Sequence, residues 1–408
     1  MPPQGGIFTI VPQEASTMRE DAYYGHASQL FGVEEHRLVG GRGDGMRLLQ
    51  VKNGLGLEFT VSTDRCCDIS RLSYGGCNFG FFSANGYVAP AHYDDREDGW
   101  LKGFTAGFLT TCGLSNVGVA CTDQGRRYGL HGELSYTPAE RVSWDWDDEA
   151  ITVRGTMNCA RIFSSKLSLN RTIRCSRREN VVTITDVVRN AGGRAEPVLL
   201  LYHCNLGYPL LQECSQIHIP SLAVEPRDPW AAEGMGCWDR IPAPEPGFSE
   251  QCYRHRFEKN GTAGIFNPML DRGVLLTFDA ENLPYFTQWK LMDVKDYVLG
   301  LEPANCHVMG RDVMRRESAL QMVEAGGTAA FSLNIRVAEN RAAWDDLLQN
   351  ENIWFCTTFD HTLSYILRCG IMKLPTKTEL HYRPLAVGKD DCYHGNDFFG
   401  ARAGRVEG

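Results

Sequence analysis

The feature that most constrains the fold is a series of short strand-like runs that begins near residue 133. Runs of alternating or apolar residues at near-regular spacing, separated by turn residues, are typical of a β-sandwich or barrel. The run Val181–Val188 is rich in β-branched residues, as expected for a half-buried strand. Helical periodicity is nearly absent outside residues 341–350. The sequence therefore predicts an all-β fold.

The pattern divides the chain into three segments. Residues 1–39 are mixed and polar, and are predicted to be an irregular lead-in. Residues 40–350 carry the strand pattern, and Asn53-Gly54 between two apolar runs predicts a hairpin near its start. Residues 351–408 do not continue the pattern and are interpreted as a C-terminal extension of unknown role.

Charge and cysteine content exclude several functional classes. The chain has 41 Lys and Arg against 50 Asp and Glu, a net charge of −9, which argues against binding to nucleic acid or to anionic lipid. No stretch approaches the roughly 20 apolar residues that a membrane helix needs. The 15 cysteines include no C-x-x-C pair, and Met1–Ile10 does not resemble a secretion signal. We therefore expect reduced thiols and a cytoplasmic location.

Three short motifs place an ionisable group beside Gly or Pro, just after an apolar run. A group in such a position can be half-buried and still face a cleft, which is how a pKa is adjusted for proton transfer. The three motifs are Gly129-Leu-His-Gly132, Leu201-Tyr-His-Cys-Asn-Leu-Gly-Tyr-Pro209 and Gly300-Leu-Glu-Pro-Ala-Asn-Cys-His307.

With these motifs in this order, the chain resembles the aldose 1-epimerase (galactose mutarotase-like) superfamily over roughly residues 40–340. It is most similar to a branch of that superfamily whose substrate is unknown, which also carries segments like Asp64-Arg-Cys-Cys-Asp-Ile69 and Gln288-Trp-Lys290. The resemblance implies a large antiparallel β-sandwich (a supersandwich) with an open sugar cleft. It also implies an isomerase that interconverts sugar anomers by acid–base ring opening, with no metal or other cofactor.

The resemblance also assigns catalytic roles. Glu302 matches the base that removes the proton of the anomeric hydroxyl, and His203 matches the acid that protonates the ring oxygen. His131 matches a second histidine that assists. Residues 110–116 lack the arginine that well-known mutarotases carry before their His-Gly motif, so Arg65 is a candidate to supply that positive charge.

Further residues are predicted to bind the substrate. Asn205 lies two residues after His203, and on a strand both would face the same side. Trp289 is a candidate for stacking on the sugar and Lys290 for bonding its hydroxyls, although adjacent residues of a regular strand face opposite sides. Asn305 and His307, just after Glu302, are predicted to line the same pocket.

Two alternative functions remain open on the sequence. His131, His203, Glu302 and His307 are ligands suited to a divalent metal such as zinc or manganese, so a metal-dependent sugar isomerase, epimerase or lyase is possible. The other alternative is a carbohydrate-binding protein without catalytic activity. In each case the expected partner is a small sugar. Neither its identity nor the oligomeric state follows from the sequence.

Overall fold

The computed structural model describes residues 22–350, and within them strands dominate. The described strands, in chain order, are β1 Gly32–Arg37, β2 Arg47–Lys52, β3 Leu57–Ser62, β4 Asp68–Tyr74, β5 Cys77–Asn78, β6 Phe81–Phe82, β7 Ala106–Gly107, β8 Leu109–Leu114, β9 Cys121–Asp123, β10 Arg126–Tyr128, β11 Ala139–Trp146, β12 Ala150–Ala160, β13 Lys166–Ser176, β14 Val181–Asn190, β15 Glu196–Pro197, β16 Leu199–Leu206, β17 Gln216–His218, β18 Ala223–Pro226, β19 Gln251–Arg256, β20 Asn260–Asn267, β21 Arg272–Asp279, β22 Tyr285–Met292, β23 Tyr297–Ala304, β24 Met322–Val323 and β25 Thr328–Ala338.

Helices are short. The α-helices of the described residues are α1 Pro229–Glu233, α2 Arg311–Arg316 and α3 Arg341–Gln349, and single 3-10 turns occur at Ala27–Gln29, Gly41–Gly43, Pro90–His92, Gly99–Gly103, Leu134–Tyr136 and Met235–Cys237. The predicted helix near residues 341–350 is confirmed by α3, whose first turn is capped because the Asn340 side chain accepts the amide N–H of Ala343. None of the helices in residues 22–350 has the length and apolar character needed to cross a membrane.

Three large antiparallel sheets form the body of the protein. One has five strands in the order β1-β2-β3-β4-β5. A second has eight, in the order β11-β12-β13-β14-β25-β21-β20-β17, and a third has six, in the order β18-β19-β22-β23-β16-β8. The prediction of an all-β fold is therefore confirmed.

The burial pattern explains why these segments are strands. Along β12 and β13 buried residues alternate with partly exposed ones, as expected when one face of a sheet packs on a core. Every residue of β16 is buried, because this strand lies inside the six-stranded sheet and is covered on both faces. The apolar run before His203 thus becomes a central strand.

Two details near the start of the chain bear on the sequence predictions. The hairpin at Asn53-Gly54 is present, with β2 and β3 paired on either side of it. β1 lies within the stretch predicted to be irregular. It is a strand because it pairs along its whole length with β2. Residues 1–21 of the predicted lead-in and the predicted extension 351–408 lie outside the described residues.

A buried ionic network joins the three large sheets. Arg171 on β13 contacts Asp186 on β14 at 2.6 Å and Asp68 on β4 at 2.7 Å, and its side chain is completely buried. The hydroxyls of Tyr202 on β16 and Thr111 on β8 donate to Asp186 and Asp68, respectively. The network therefore stabilises the packing directly behind β8 and β16.

Candidate active site

The candidate site is built on a row of residues that crosses four neighbouring strands. His203 on β16 pairs with Thr110 on β8, and Glu302 on β23 pairs with Thr287 on β22. Leu201 pairs with Ala304 and Cys204 with Leu301, so this register sets His203 directly opposite Glu302. Directly opposed residues of adjacent strands project from the same face. The register thus brings together two groups that are 99 positions apart in the sequence.

His203 and Glu302 form a buried pair. Nε2 of His203 lies 3.3 Å from Oε1 of Glu302, and the two side chains are only 7% and 3% exposed. Within the described residues, Nδ1 of His203 and Oε1 of Glu302 lack a well-aligned hydrogen-bond partner. Buried polar atoms without partners are rare in folded proteins, so their presence here indicates a site that takes a polar ligand.

Gly300 makes room for the Glu302 carboxylate. The two residues lie on the same face of β23, and a Cβ atom on Gly300 would come within 2.6 Å of Oε1 of Glu302 and 3.0 Å of Cβ of Trp289. The absence of a side chain at this position therefore allows the carboxylate and the indole to lie side by side.

His131 reaches the same cavity from a loop. It follows the hairpin formed by β9 and β10, and its φ of 55° lies in the left-handed region. The amide N–H of Gly118 donates to Nδ1 of His131 at 3.3 Å. A neutral ring with an accepting Nδ1 carries its proton on Nε2. The ring centre lies 5.8 Å from that of His203, so His131 can act as a donor beside the pair.

Gly118 holds this loop close to the opposite chain segment. Its φ is 73°, and a Cβ atom there would come within 1.8 Å of the carbonyl oxygen of Val308. Only glycine fits such an approach. The packing keeps the donor N–H of Gly118 aligned with His131.

Aromatic side chains form the walls of the cavity. The ring of Trp100 lies 4.7 Å from that of His131, and it stacks on Phe104 at 4.6 Å. Phe104 and Trp289 flank His203 at 5.4 and 5.2 Å. The cavity has a volume of about 530 Å³, which is within the range of small-molecule sites.

Charged residues at the rim were not predicted from the sequence. Arg227 contacts Glu250 at 2.9 Å and Asp228 at 2.9 Å, and all three line the cavity. The indole N–H of Trp289 donates to Glu250 at 2.8 Å. Arg227 and Glu250 flank β18 and β19, and only the pairing of those strands brings them together. No local spacing signals that pairing, so no sequence pattern could have found them.

Burial shifts the pKa values of all three central groups. Desolvation lowers the pKa of His131 from 6.5 to about 4. Desolvation, reinforced by the neighbouring His131, lowers the pKa of His203 to about 3, while the Asn205 side chain opposes the shift. Burial, together with the negative charge of Glu250, raises the pKa of Glu302 well above its usual range. These shifts favour the uncharged forms, which are neutral imidazoles and a protonated Glu302 carboxyl.

Not every predicted site residue reaches this cavity. Trp289 lines it, whereas Lys290 lines a separate cavity on the other side of the strand and donates to the carbonyl of Cys237. The expected alternation along β22 explains this separation. Asn205 is on the same face as His203 but is completely buried, and its amide donates to the His203 carbonyl.

Three other predicted residues also lie away from the cavity lining. Arg65 is buried and donates to the carbonyls of Ser135, Val88 and Gly103. Asn305 links backbone groups of Leu200 and Val198. His307 contacts Glu317 at 2.9 Å. Each has a structural contact that satisfies it, so a contact with a sugar stays a prediction for these residues.

A metal site would need several ligands at one place. Among residues 22–350, no three His, Cys, Asp or Glu side chains are grouped closely enough to hold a metal ion. None of the 12 described cysteines forms a disulfide.

Comparison with known proteins identifies a family and several structural relatives. The family described as "Domain of unknown function (DUF4432)" matches residues 43–337. No curated protein sequence matches the chain. A crystal structure from Klebsiella pneumoniae, described as "a putative aldose 1-epimerase", superposes with a TM-score of 0.73 at 26% identity, covering 79% of this chain and 89% of that one.

Two more distant structures share the fold. A galactose mutarotase-like protein from Clostridium acetobutylicum superposes with a TM-score of 0.57 at 12% identity, covering 76% of this chain and 99% of that one. A structure from Salmonella typhimurium, described as "a putative mutarotase", superposes with a TM-score of 0.52 at 10% identity, covering 76% and 94%. The predicted mutarotase-type β-sandwich, and the resemblance on which it was based, are confirmed.

Proposed function

The chain belongs to the DUF4432 family, and we propose that it is an aldose 1-epimerase, which interconverts the α and β anomers of a sugar. The observation that carries the proposal is the buried pair of His203 and Glu302, 3.3 Å apart, with His131 beside it. The relative from Klebsiella pneumoniae, described by the same activity, adds support.

The reaction needs one proton acceptor and one proton donor on a sugar ring. The reacting form has the proton of the pair on His203, and transfer from Glu302 across the 3.3 Å between the two groups produces it. In that form Glu302 takes the proton of the anomeric hydroxyl while His203 gives a proton to the ring oxygen, and the bond between the anomeric carbon and that oxygen breaks. The open-chain aldehyde rotates, and the reverse transfers close the ring in the other configuration. No atom or proton is gained or lost, so the enzyme returns to its starting state.

The proton content of the pair suits this cycle. A glutamate–histidine pair with one proton presents one donor and one acceptor, whichever of the two groups carries it. Ring opening and ring closing each use one proton donor and one proton acceptor. His131, neutral and protonated on Nε2, adds a donor for the ring oxygen or a neighbouring hydroxyl.

The walls of the cavity favour an uncharged sugar. Trp289 and Phe104 offer apolar faces of the kind that stack on the C–H face of a pyranose. At the rim, Arg227 is already paired with Glu250 and Asp228. A uronate carboxylate placed there would meet two carboxylates of like charge. We therefore propose a neutral monosaccharide as the substrate.

The test is exchange NMR at the anomeric protons, with and without a chelator. The panel contains neutral hexoses and pentoses, and charged uronates for comparison. Accelerated exchange of a neutral sugar that survives the chelator supports the proposal. Exchange that disappears with the chelator would indicate a metal-dependent enzyme. Sugar binding without accelerated exchange would indicate a carbohydrate-binding protein.

A further inference from the structure

A second cavity, of about 580 Å³, shares no lining residue with the cavity of His203. Its lining is dominated by arginine. We call it the arginine cavity, after its five arginines Arg126, Arg161, Arg194, Arg311 and Arg315. The proposed sugar chemistry leaves this concentration of positive charge unexplained, in a chain whose net charge is −9.

Four separate parts of the fold converge on the arginine cavity. The hairpin of β9 and β10 contributes Arg126, and the turn between β12 and β13 contributes Arg161. Arg194 comes from the segment just before β15. Arg311 and Arg315 lie four residues apart on α2, and such residues share one face of a helix. Tertiary packing, rather than one basic stretch of sequence, builds the cluster.

Asp123 orients two of the arginines. One of its oxygens accepts from Nε of Arg311 at 2.8 Å, and the carboxylate accepts from Nε and Nη2 of Arg315 at 2.6 and 2.8 Å. Nη1 of Arg311 donates to the carbonyl of Ser115 at 3.0 Å. Within residues 22–350, Nη2 of Arg311 and Nη1 of Arg315 have no hydrogen-bond partner. Each of these two oriented guanidinium groups thus keeps one nitrogen that can donate hydrogen bonds to a ligand.

Arg126 lies on the aromatic face of Tyr128. Its guanidinium carbon is 5.0 Å from the ring centre, and that of Arg311 is 4.8 Å from the same centre. Arg126 also donates to the hydroxyl of Ser164. Among the described residues no carboxylate forms an ion pair with Arg126. Tyr128 therefore contacts two of the five guanidinium groups.

The charges do not cancel. Glu133 pairs with Arg161 at 3.1 Å, and Glu196 pairs with Arg194 at 2.8 Å. With Asp123 shared by two arginines, three carboxylates of the described residues face five guanidinium groups. Bringing like charges together is unfavourable unless an anion compensates them.

From this arrangement we propose that the arginine cavity binds a small phosphate-bearing molecule. Guanidinium groups form paired hydrogen bonds with phosphate oxygens, and such charge-assisted bonds are the strong ones. A phosphate carries between one and two negative charges at neutral pH, which matches the uncompensated charge of the cavity. A cavity of about 580 Å³ favours a small molecule over a nucleic-acid chain, which needs an extended basic surface.

Isothermal titration calorimetry of the full chain tests the proposal with three probes at equal ionic strength: phosphate, pyrophosphate and citrate. Arg126→Ala and Arg194→Ala are the test variants, and the Arg194 side chain is 72% exposed, so its removal does not threaten folding. Arg178→Ala is the matched control. Arg178 is exposed and pairs with Glu149. It lies in the turn that follows β13, roughly 30 Å from Arg161, which precedes the start of that strand.

We expect pyrophosphate to bind the wild-type chain and the Arg178→Ala control equally. Each cavity variant should weaken binding by about tenfold or more. Absence of pyrophosphate binding, or equal binding by all variants, would overturn the proposal. Binding of citrate but not of either phosphate probe would overturn the phosphate class. The Glu302→Gln variant should bind pyrophosphate normally, so failure of the proposed sugar reaction leaves this result unaffected.

Discussion

At the scale of single residues, burial decides the chemistry of the site. His131, His203 and Glu302 are ordinary titratable groups, and in water each would be charged or uncharged according to its usual pKa. In the cavity they are desolvated, so their uncharged forms are favoured. In its uncharged form the His203–Glu302 pair holds one carboxyl proton that it can transfer.

Replacement of the glutamate tests the proton transfer directly. Glu302→Gln keeps the shape of the side chain but can no longer accept a proton. We expect sugar binding to persist and the catalysed anomer exchange to fall by at least about a hundredfold. Exchange NMR and calorimetry measure the two properties separately. The control is Glu317→Gln, at an exposed position outside the cavity lining, and unchanged exchange in Glu302→Gln would contradict the proposed mechanism.

His131 should make the protein sensitive to acid. Its pKa is about 4 in the folded protein against 6.5 for the ordinary side chain, so between these pH values the unfolded chain binds more protons. The free energy of unfolding therefore falls as the pH decreases through this window. At pH 5 this one group lowers the free energy of unfolding by about 2 kcal/mol relative to neutral pH.

Between pH 7 and pH 5, the free energy of unfolding of His131→Gln should fall by roughly 2 kcal/mol less than that of the wild type. Urea denaturation at both pH values measures the difference. His36→Gln, at an exposed position on β1, should keep the wild-type pH dependence. Parallel pH dependence of His131→Gln and the wild type would argue against a neutral His131 in the folded protein.

At the scale of elements, strand register and close packing set the geometry. The pairing of β16 with β23 places His203 opposite Glu302, and the alternation along β22 sends Trp289 and Lys290 to different cavities. Gly300 leaves the space that the Glu302 carboxylate occupies. A shift of one residue in this register would move every one of these side chains to the other face.

Gly300→Ala tests the role of that space. The added methyl group would lie 2.6 Å from Oε1 of Glu302, so the carboxylate must move. We expect the catalysed exchange to fall by about a hundredfold, because displacements near 1 Å have such effects on positioned groups. Thermal unfolding should show that the protein remains folded. Gly236→Ala, where a methyl group meets nothing within 4 Å, should retain wild-type exchange.

At the scale of the whole molecule, the buried network around Arg171 holds the three large sheets together. Its guanidinium contacts Asp186 of the eight-stranded sheet and Asp68 of the five-stranded sheet, and hydroxyls from the six-stranded sheet complete the bonding. Because every partner is satisfied, the network specifies one arrangement of the sheets. That arrangement positions β8 and β16 beneath the site.

Arg171→Leu should destabilise the protein by about 3–5 kcal/mol, because it leaves two carboxylates buried without a positive partner. Arg178→Ala, which removes an exposed ion pair, should change the stability by less than about 1 kcal/mol. Urea denaturation of both variants gives the comparison. A similar small effect in the two variants would mean that Arg171 does not hold the sheets together.

The sequence by itself determined the strands and the central residues of the candidate site. Strand periodicity is a local property, so the all-β fold, the hairpin at Asn53-Gly54 and the opposite facing of Trp289 and Lys290 could all be predicted. The motifs around His131, His203 and Glu302 could be recognised because each occupies only a few consecutive residues.

Only the tertiary structure decided which distant residues meet. Arg227 and Glu250 reach the rim of the site through the pairing of β18 with β19, and the five arginines of the arginine cavity come from four separate parts of the chain. Arg65 and Asn305, which the sequence placed among the sugar-binding candidates, are held by backbone carbonyls and amides in the interior. Such contacts depend on long-range strand pairing and on burial, and neither leaves a local pattern in the sequence.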